Sequence, residues 1–222
     1  MGAGKEEQAR KASGQAVMTV LIVGIFFTIL AVSLSSKVPV WMQVDPSIQK
    51  MASSYFLILY SPMLFRTMNI ILGTVLRSAG DARSPMIVGI TMNVINIVLN
   101  FFLIYNTRSV YLGSWLLTVP GAGWGIEGAA IASAVAYTCG GILIAWKLWH
   151  HDTVSPKGQS LRPDPQVLKP CLRVAFPNML QRFATSLGYV AFASMINSLG
   201  ELSTAAHTIA NTVESAFYIP GW

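Results

Sequence analysis

Leu72 to Asn100 read LGTVLRSAGDARSPMIVGITMNVINIVLN, and this stretch decides the fold. An apolar run ends near Leu76, a short charged turn follows, and a second apolar run begins. Arg77, Asp81 and Arg83 fall in the turn. Gly80 followed by Asp81 is turn chemistry, because glycine takes positive φ freely and an aspartate side chain bonds nearby backbone. Ser84 then Pro85 reads as a helix start, an oxygen for free N–H groups followed by a ring that presets φ. Asn93, Asn96 and Asn100 come next, at spacings that put them on one helical face. A short basic turn between two long apolar helices, one with an amide stripe, is the pattern of a membrane hairpin with its turn in the cytoplasm.

Composition supports lipid as the main solvent. The chain has 222 residues, 53% hydrophobic and only 11% charged, with a mean hydropathy of +0.55. Soluble domains carry about 25% charged residues, and a chain this apolar could not cover its surface with polar groups. The net charge of +6 matters less than where the charges fall, and no nucleic-acid partner is expected. Cys139 and Cys171 are too few for a disulfide framework and lack metal-site spacing, so they read as small apolar fillers. The first residues, MGAGKEEQARKA, are polar, and the long apolar run after them lacks a small-residue cleavage site, so no signal peptide is read.

Apolar segments run about Gln15–Leu34, Ala52–Leu76, Pro85–Tyr105, Glu127–Leu148 and Leu172–Leu199, and a further one starts near Ser203 and is still apolar at Trp222. Each approaches the ~20 residues that a spanning helix needs. The fold class expected is an all-α polytopic membrane bundle with about five full transmembrane helices and a truncated sixth. None of the runs alternates as the strand of a membrane barrel must. With the N-terminus in the cytoplasm, the inside segments hold Lys5, Arg10, Lys11, Arg77, Arg83, Lys147, Lys157, Arg162, Lys169 and Arg173, and the outside loops only Lys37, Lys50 and Arg108. That bias sets the orientation. Trp41, Trp115 and Trp124 then fall near the outer boundary and Trp146 and Trp149 near the inner one. Residues 149–171 are polar and contain Pro156, Pro163, Pro165 and Pro170. They read as a cytoplasmic linker between an N-terminal four-helix lobe, residues 1–148, and the start of a second lobe, residues 172–222.

Several residues inside these runs bear on function. Arg66 follows Pro62 within an apolar helix; it marks a functional site, or it snorkels or bonds a helix-end carbonyl. Asn93, Asn96 and Asn100 line a polar pathway or, the favoured reading, hydrogen-bond across helices as glue; Asn69 and Thr67 add polar groups to the preceding helix. Glu214 is the one acidic residue well inside an apolar helix, and His207 shares its face. A carboxylate desolvated in a membrane can bind and release a proton near neutral pH; the alternative is a structural glutamate bonded to a neighbouring helix or facing a wet cavity. Glu127 at a helix start suits the helix dipole. Pro177 and Pro220 would kink their helices. Gly128-Ala129-Ala130-Ile131-Ala132-Ser133 permits close helix packing. His150-His151 could bind a metal but reads as solvated loop, and no metal site is expected. No GxSxG, HExxH or Walker loop is present, so neither an enzyme nor an ATP-driven pump is expected, and no cofactor beyond a coupling ion.

These motifs together resemble the multidrug and toxic compound extrusion (MATE) transporters, in order and along nearly the whole chain. MGAGKEEQARKASGQ is similar to that family's loop before its third helix. LRSAGDARSP with the asparagine stripe resembles the turn and fifth helix; the turn positions are Arg77, Gly80, Asp81, Arg83 and Pro85. GAGWGIEGAAIAS is similar to the approach to the sixth helix, FPNMLQRFATSLGY to the seventh and LSTAAHTIANTVESAFYIPGW to the start of the eighth. The resemblance implies a plasma-membrane antiporter of two six-helix lobes that exports cationic or amphipathic organic molecules in exchange for protons or sodium ions. Lipid and small organic cations are the implied partners. The chain would hold the third to eighth helices, and the missing helices of the full-length transporter would complete it. Ion-coupling or pathway candidates are Glu214, His207, Arg66, Asn93, Asn96 and Asn100. Many members carry a glutamate in the seventh helix where this chain has Thr185, which leaves Glu214 as the acidic candidate. A related lipid-linked flippase, or an inactive or accessory truncated membrane protein, is the alternative.

Overall fold

The computed structural model describes residues 6–41, 46–112, 115–198 and 201–218. It divides into two compact units, Met1–Asp164 and Pro165–Trp222. Unit 1 contains α1 (Glu6–Leu34), α2 (Val38–Trp41), α3 (Pro46–Tyr60), α4 (Met63–Ser78) and α5 (Arg83–Leu103). The strands β1 (Asn106–Leu112) and β2 (Trp115–Ala122) and the helix α6 (Gly125–Trp149) complete it. Unit 2 contains α7 (Pro165–Ser198) and α8 (Glu201–Tyr218).

The fold is that of a helical membrane protein. Among the described residues α1, α5 and α6 are long and apolar enough to cross a bilayer, and the bent pair α3–α4 makes a fourth span if it counts as one. α7 and α8 are not among them. Polar residues such as Arg173, Asn178, Gln181 and Arg182 dilute the apolar character of α7.

The single helix expected over Ala52–Leu76 is instead α3 and α4, bent by 41°. Pro62 stands at the break. It has no N–H to give and its ring clashes with a continuing helix. Ser61 closes α3 by donating its hydroxyl to the Ile58 carbonyl at 3.0 Å. One free N–H at the start of α4 is satisfied from α1, where Leu64 N donates to Thr28 Oγ1 at 3.1 Å.

α7 begins at Pro165, ahead of the expected Leu172, and runs through Pro170 and Pro177 as one helix. The kink expected at Pro220 lies outside the described residues, as do the side chains of Trp41, Trp115 and Arg108.

Between α5 and α6, where only a loop was expected, the strands pair antiparallel from Asn106↔Ala122 to Leu112↔Trp115. The segment is rich in threonine, valine, leucine and aromatic residues, which suit a pleated surface. Trp124 N donates to Leu103 O at 2.9 Å and Gly125 N to Ile104 O at 3.1 Å, tying the end of α5 to the start of α6.

The core of unit 1 joins Val20 of α1, Leu72 and Leu76 of α4, Val88 of α5, Ile144 and Leu148 of α6, and Val154 from the following loop. Glycines on α6 set how near its neighbours come. A Cβ at Gly141 would sit 2.8 Å from the Phe65 backbone, and one at Gly128 would sit 2.6 Å from the Leu103 carbonyl oxygen. Lipid tails are as apolar as leucine, so this close fit, rather than expulsion of water, holds membrane helices together. On the outer face of α5, Ile90, Val94, Ile97 and Phe101 are exposed at helical spacing, forming a lipid-facing stripe.

Candidate functional site

One set of polar residues in unit 1 gathers on a face of α6. Ser133 and Tyr137 are four residues apart there, so one stands above the other. Asn96 Nδ2 of α5 donates to Ser133 Oγ at 3.0 Å. Asn100 Nδ2 donates to Asn96 Oδ1 at 2.9 Å. From α4, Asn69 Nδ2 donates to the Tyr137 carbonyl at 3.4 Å. The Arg66 guanidinium lies 5.2 Å from the centroid of the Tyr137 ring, a cation–π distance. The result is a polar seam along α4, α5 and α6 inside an otherwise apolar bundle.

Of the three asparagines expected on one face, two join this seam. Asn93 is exposed beside the lipid-facing stripe. The stripe subtends enough of the helix that its edge points outward, and spacing alone does not tell which edge. Asn100 Oδ1 is buried and receives no hydrogen bond among the described residues. Such an atom costs free energy when left unpaired and would accept a bond from a ligand or water. The seam can hold helices in register and offer amide and hydroxyl groups to a polar guest. It contains no nucleophile paired with a base.

The turn between α4 and α5 is built as a helix stop followed by a helix start. Asp81 N donates to Leu76 O and Gly80 N to Arg77 O, both at 3.0 Å, the two bonds of a Schellman motif. Gly80 has φ of 90° there, which glycine adopts without a Cβ penalty. Ser84 is not the capping residue that the sequence suggests. α5 starts at Arg83, and Asp81 Oδ1 accepts from Ser84 N at 2.9 Å, so the aspartate supplies the cap. Hydrogen bonds from Ser84 hold the Asp81 carboxyl below its ordinary value, and the nearby His151 adds a smaller push in the same direction. Arg77 Nη2 donates to Thr74 Oγ1 at 3.1 Å, Pro85 lies beside Gly73, and Arg83 is exposed.

Sequence reasoning missed a second polar cluster at this end. Residues 150–164 fold back over the start of α1. Gln15 Nε2 donates to Arg162 O at 2.7 Å, and Gln15 Oε1 accepts from Asp164 N at 3.0 Å. Lys11 pairs with Asp164, and Arg10 Nη2 donates to Asp152 O at 2.8 Å. The one available signal was a glutamine at the head of an apolar run. His150 and His151 are both engaged locally, His150 Nδ1 with Trp146 O at 2.9 Å and His151 Nδ1 with Thr153 N at 3.3 Å. Among the described residues no cluster of His, Cys, Asp or Glu could hold a metal.

In unit 2, Glu214 is exposed and His207 half-buried. They share a face of α8 but lie two turns apart, ~10 Å along the axis, so the structure does not bring them into contact. The His207 ring meets Phe192 edge-on at 5.5 Å, and its Nε2 is buried without a partner among the described residues. Asn211 Nδ2 donates to Tyr189 Oη at 3.3 Å. Thr185 hydrogen-bonds its own helix through Gln181 O and, with Asn178, Gln181 and Arg182, lines an open cavity of about 560 Å³.

Comparison with known proteins places this architecture. The MatE family model matches residues 1–102. The probable multidrug resistance protein NorM of Thermotoga maritima is 24% identical over 222 residues, covering 100% of this chain and 46% of the relative. The probable multidrug resistance protein YoeA of Bacillus subtilis is 25% identical over 221 residues, covering 99% and 46%. Among solved structures, the outward-facing conformation of a multidrug resistance MATE family transporter superposes with a TM-score of 0.79 at 22% identity, covering 99% of this chain and 46% of that one. The inward-facing conformation of such a transporter gives 0.76 at 24% identity, covering 99% and 47%. The chain spans about half the length of the curated relatives it matches.

Proposed function

Starting from a chain related to the MATE transporters in sequence and fold, we propose that it forms part of a secondary antiporter exporting cationic or amphipathic organic compounds. The observation that carries this reading is the match, in order and over essentially the whole chain, to two relatives named as probable multidrug resistance proteins. Those relatives are named for resistance, and the solved neighbours are transporters, so transport rather than bond chemistry is the activity to test.

The inward flow of protons or sodium ions drives the export. Glu214 is the coupling candidate in α8, with His207 on the same face. Arg66, Asn96 and Asn100 form the polar wall of unit 1, and Asn93 lies at its outer edge. The membrane is the plasma membrane with the N-terminus in the cytoplasm, as the basic residues at Arg77, Arg83, Lys147 and Lys157 favour. Organic cations and the remaining helices of a full-length transporter are its partners.

Reconstitution of the full-length form into proteoliposomes tests this. An imposed cation gradient is expected to drive ethidium movement, and Glu214→Gln to slow it several-fold. Ethidium movement that ignores both proton and sodium gradients would overturn the antiport reading. Normal coupling in Glu214→Gln would remove that residue from the mechanism.

A further inference from the structure

We infer that the hairpin end of unit 1 binds a phospholipid whose headgroup carries both a phosphate and a primary ammonium, as in phosphatidylethanolamine. This rests on the membrane fold and not on the transport reading. Two adjoining spaces carry it. The first is a cavity of about 640 Å³ lined by Lys50 and Ser54 of α3, by Gly123 and Trp124, and by Glu127 of α6. The second is an apolar groove of about 550 Å³ lined by Tyr55, Phe56, Leu59 and Tyr60 of α3 among others. Met51 and Ile126 line both spaces, so they are continuous.

The charges select the guest. Lys50 and Glu127 face one cavity yet form no ion pair with each other among the described residues. Both side chains are exposed at the cavity, so opposite charges stand there open to a guest. A phosphate accepts hydrogen bonds from Lys50 Nζ and the Ser54 hydroxyl, and a primary ammonium donates to the Glu127 carboxylate. A purely anionic headgroup satisfies Lys50 but meets Glu127 with like charge. A trimethylated ammonium keeps the charge but has no N–H to donate. The groove takes the acyl chain. Its rings stack at one side, Phe56 on Tyr60 at 4.4 Å, and Ile48, Met51 and Ile126 are open to the membrane. Trp124, more than half exposed at the rim, is the residue type that settles at the headgroup level.

Native mass spectrometry of the detergent-purified chain, titrated with phosphatidylethanolamine, phosphatidylcholine and phosphatidylglycerol, tests the site. One phosphatidylethanolamine is expected to stay bound under activation that strips the other two. Glu127→Gln should weaken it roughly fivefold to tenfold, the scale of one charge-assisted hydrogen bond, while leaving phosphatidylglycerol unchanged or tighter. The conservative pair Lys50→Arg with Glu127→Asp keeps each charge in its place and should retain the lipid, which separates headgroup recognition from general damage. Equal retention of all three lipids by the unaltered chain overturns the proposal, and so does loss of the preference in a folded conservative pair. Benzoylphenylalanine placed at Tyr55 in native membranes is expected to yield a lipid adduct; a protein adduct there means that a polypeptide segment fills the groove and also overturns it.

Discussion

Unit 1 gathers polar residues of three helices into one seam, while the helix pair of unit 2 joins its helices through Asn211 and Tyr189 and leaves other polar residues exposed. In unit 1, Asn96, Asn69 and Arg66 find partners across helix boundaries, while Asn100 bonds Asn96 within α5. In unit 2, Arg182, Thr185 and Glu214 are exposed, and so are large apolar side chains such as Phe176 at 69% and Phe217 at 82%. The difference follows first from helix number, since α7 and α8 alone cannot enclose a side chain and the chain spans about half the length of its curated relatives. α6 presents Gly128, Gly140 and Gly141 to its neighbours, and the backbones close to contact distance. Gly188 of α7 has open space around it. Close approach is what lets short amide and hydroxyl side chains reach across a helix interface.

The largest effect should come from blocking that approach. Gly141→Leu drives a side chain into the Phe65 backbone and cannot be relieved by a rotamer change. It is expected to destabilise unit 1 by about 3 kcal/mol or more, visible as loss of the monodisperse peak in detergent and a lower thermal midpoint. Gly188→Leu in α7 should leave both unchanged. Equal damage from the two substitutions would erase the contrast between the units.

A smaller effect is expected at the seam. Asn96→Leu removes the bond to Ser133 and the acceptor for Asn100 together. Membrane hydrogen bonds average about 0.6 kcal/mol and reach about 1.7, so a loss near the upper figure should appear in a denaturant or heat titration. Asn93→Leu, on the exposed edge, should be silent. If the two asparagines behave alike, the stripe faces another way.

The smallest effect concerns the turn. The Asp81 carboxyl is held below its ordinary value by Ser84, so the folded state favours the charged form. The stabilisation is whole above the unfolded carboxylate value, about 4, and drains as the pH falls through the lowered folded value. Asp81→Ala should therefore lose about 0.5–2 kcal/mol at neutral pH, the usual worth of a helix cap, and flatten the acid limb of the stability curve. An acid limb identical to that of the unaltered chain would return the cap to Ser84.

The same contrast explains what the sequence could reveal. Apolar runs, the turn at Gly80-Asp81 and the asparagine stripe were legible because each is local: a period, a dipeptide, a spacing. The break at Pro62 was not, because the residues on both sides are apolar enough to read as one span. Threonine and valine around Arg108 and Val119 looked like loop because strands of seven and eight residues fall far short of the run that marks a membrane span. Gln15 was missed because its partners, Arg162 and Asp164, lie on the far side of unit 1 in sequence. Whether Ser84 or Asp81 supplies the cap is settled by a backbone offset of a residue or two, beyond what residue preferences resolve. Ser133 read only as a small packing residue, and its role as the hydrogen-bond partner of Asn96 needed the register of α5 against α6.

The central claim is that α5 and α6 meet through the seam, with Asn96 inside it and Asn93 outside. Thiol cross-linking in native membranes tests it most directly, in a chain whose Cys139 and Cys171 are replaced by alanine. Asn96→Cys with Ser133→Cys is expected to join rapidly under mild oxidation or with a short bis-thiol reagent, while Asn93→Cys with Ser133→Cys stays open. Cross-linking of the Asn93 pair in preference to the Asn96 pair would contradict the account.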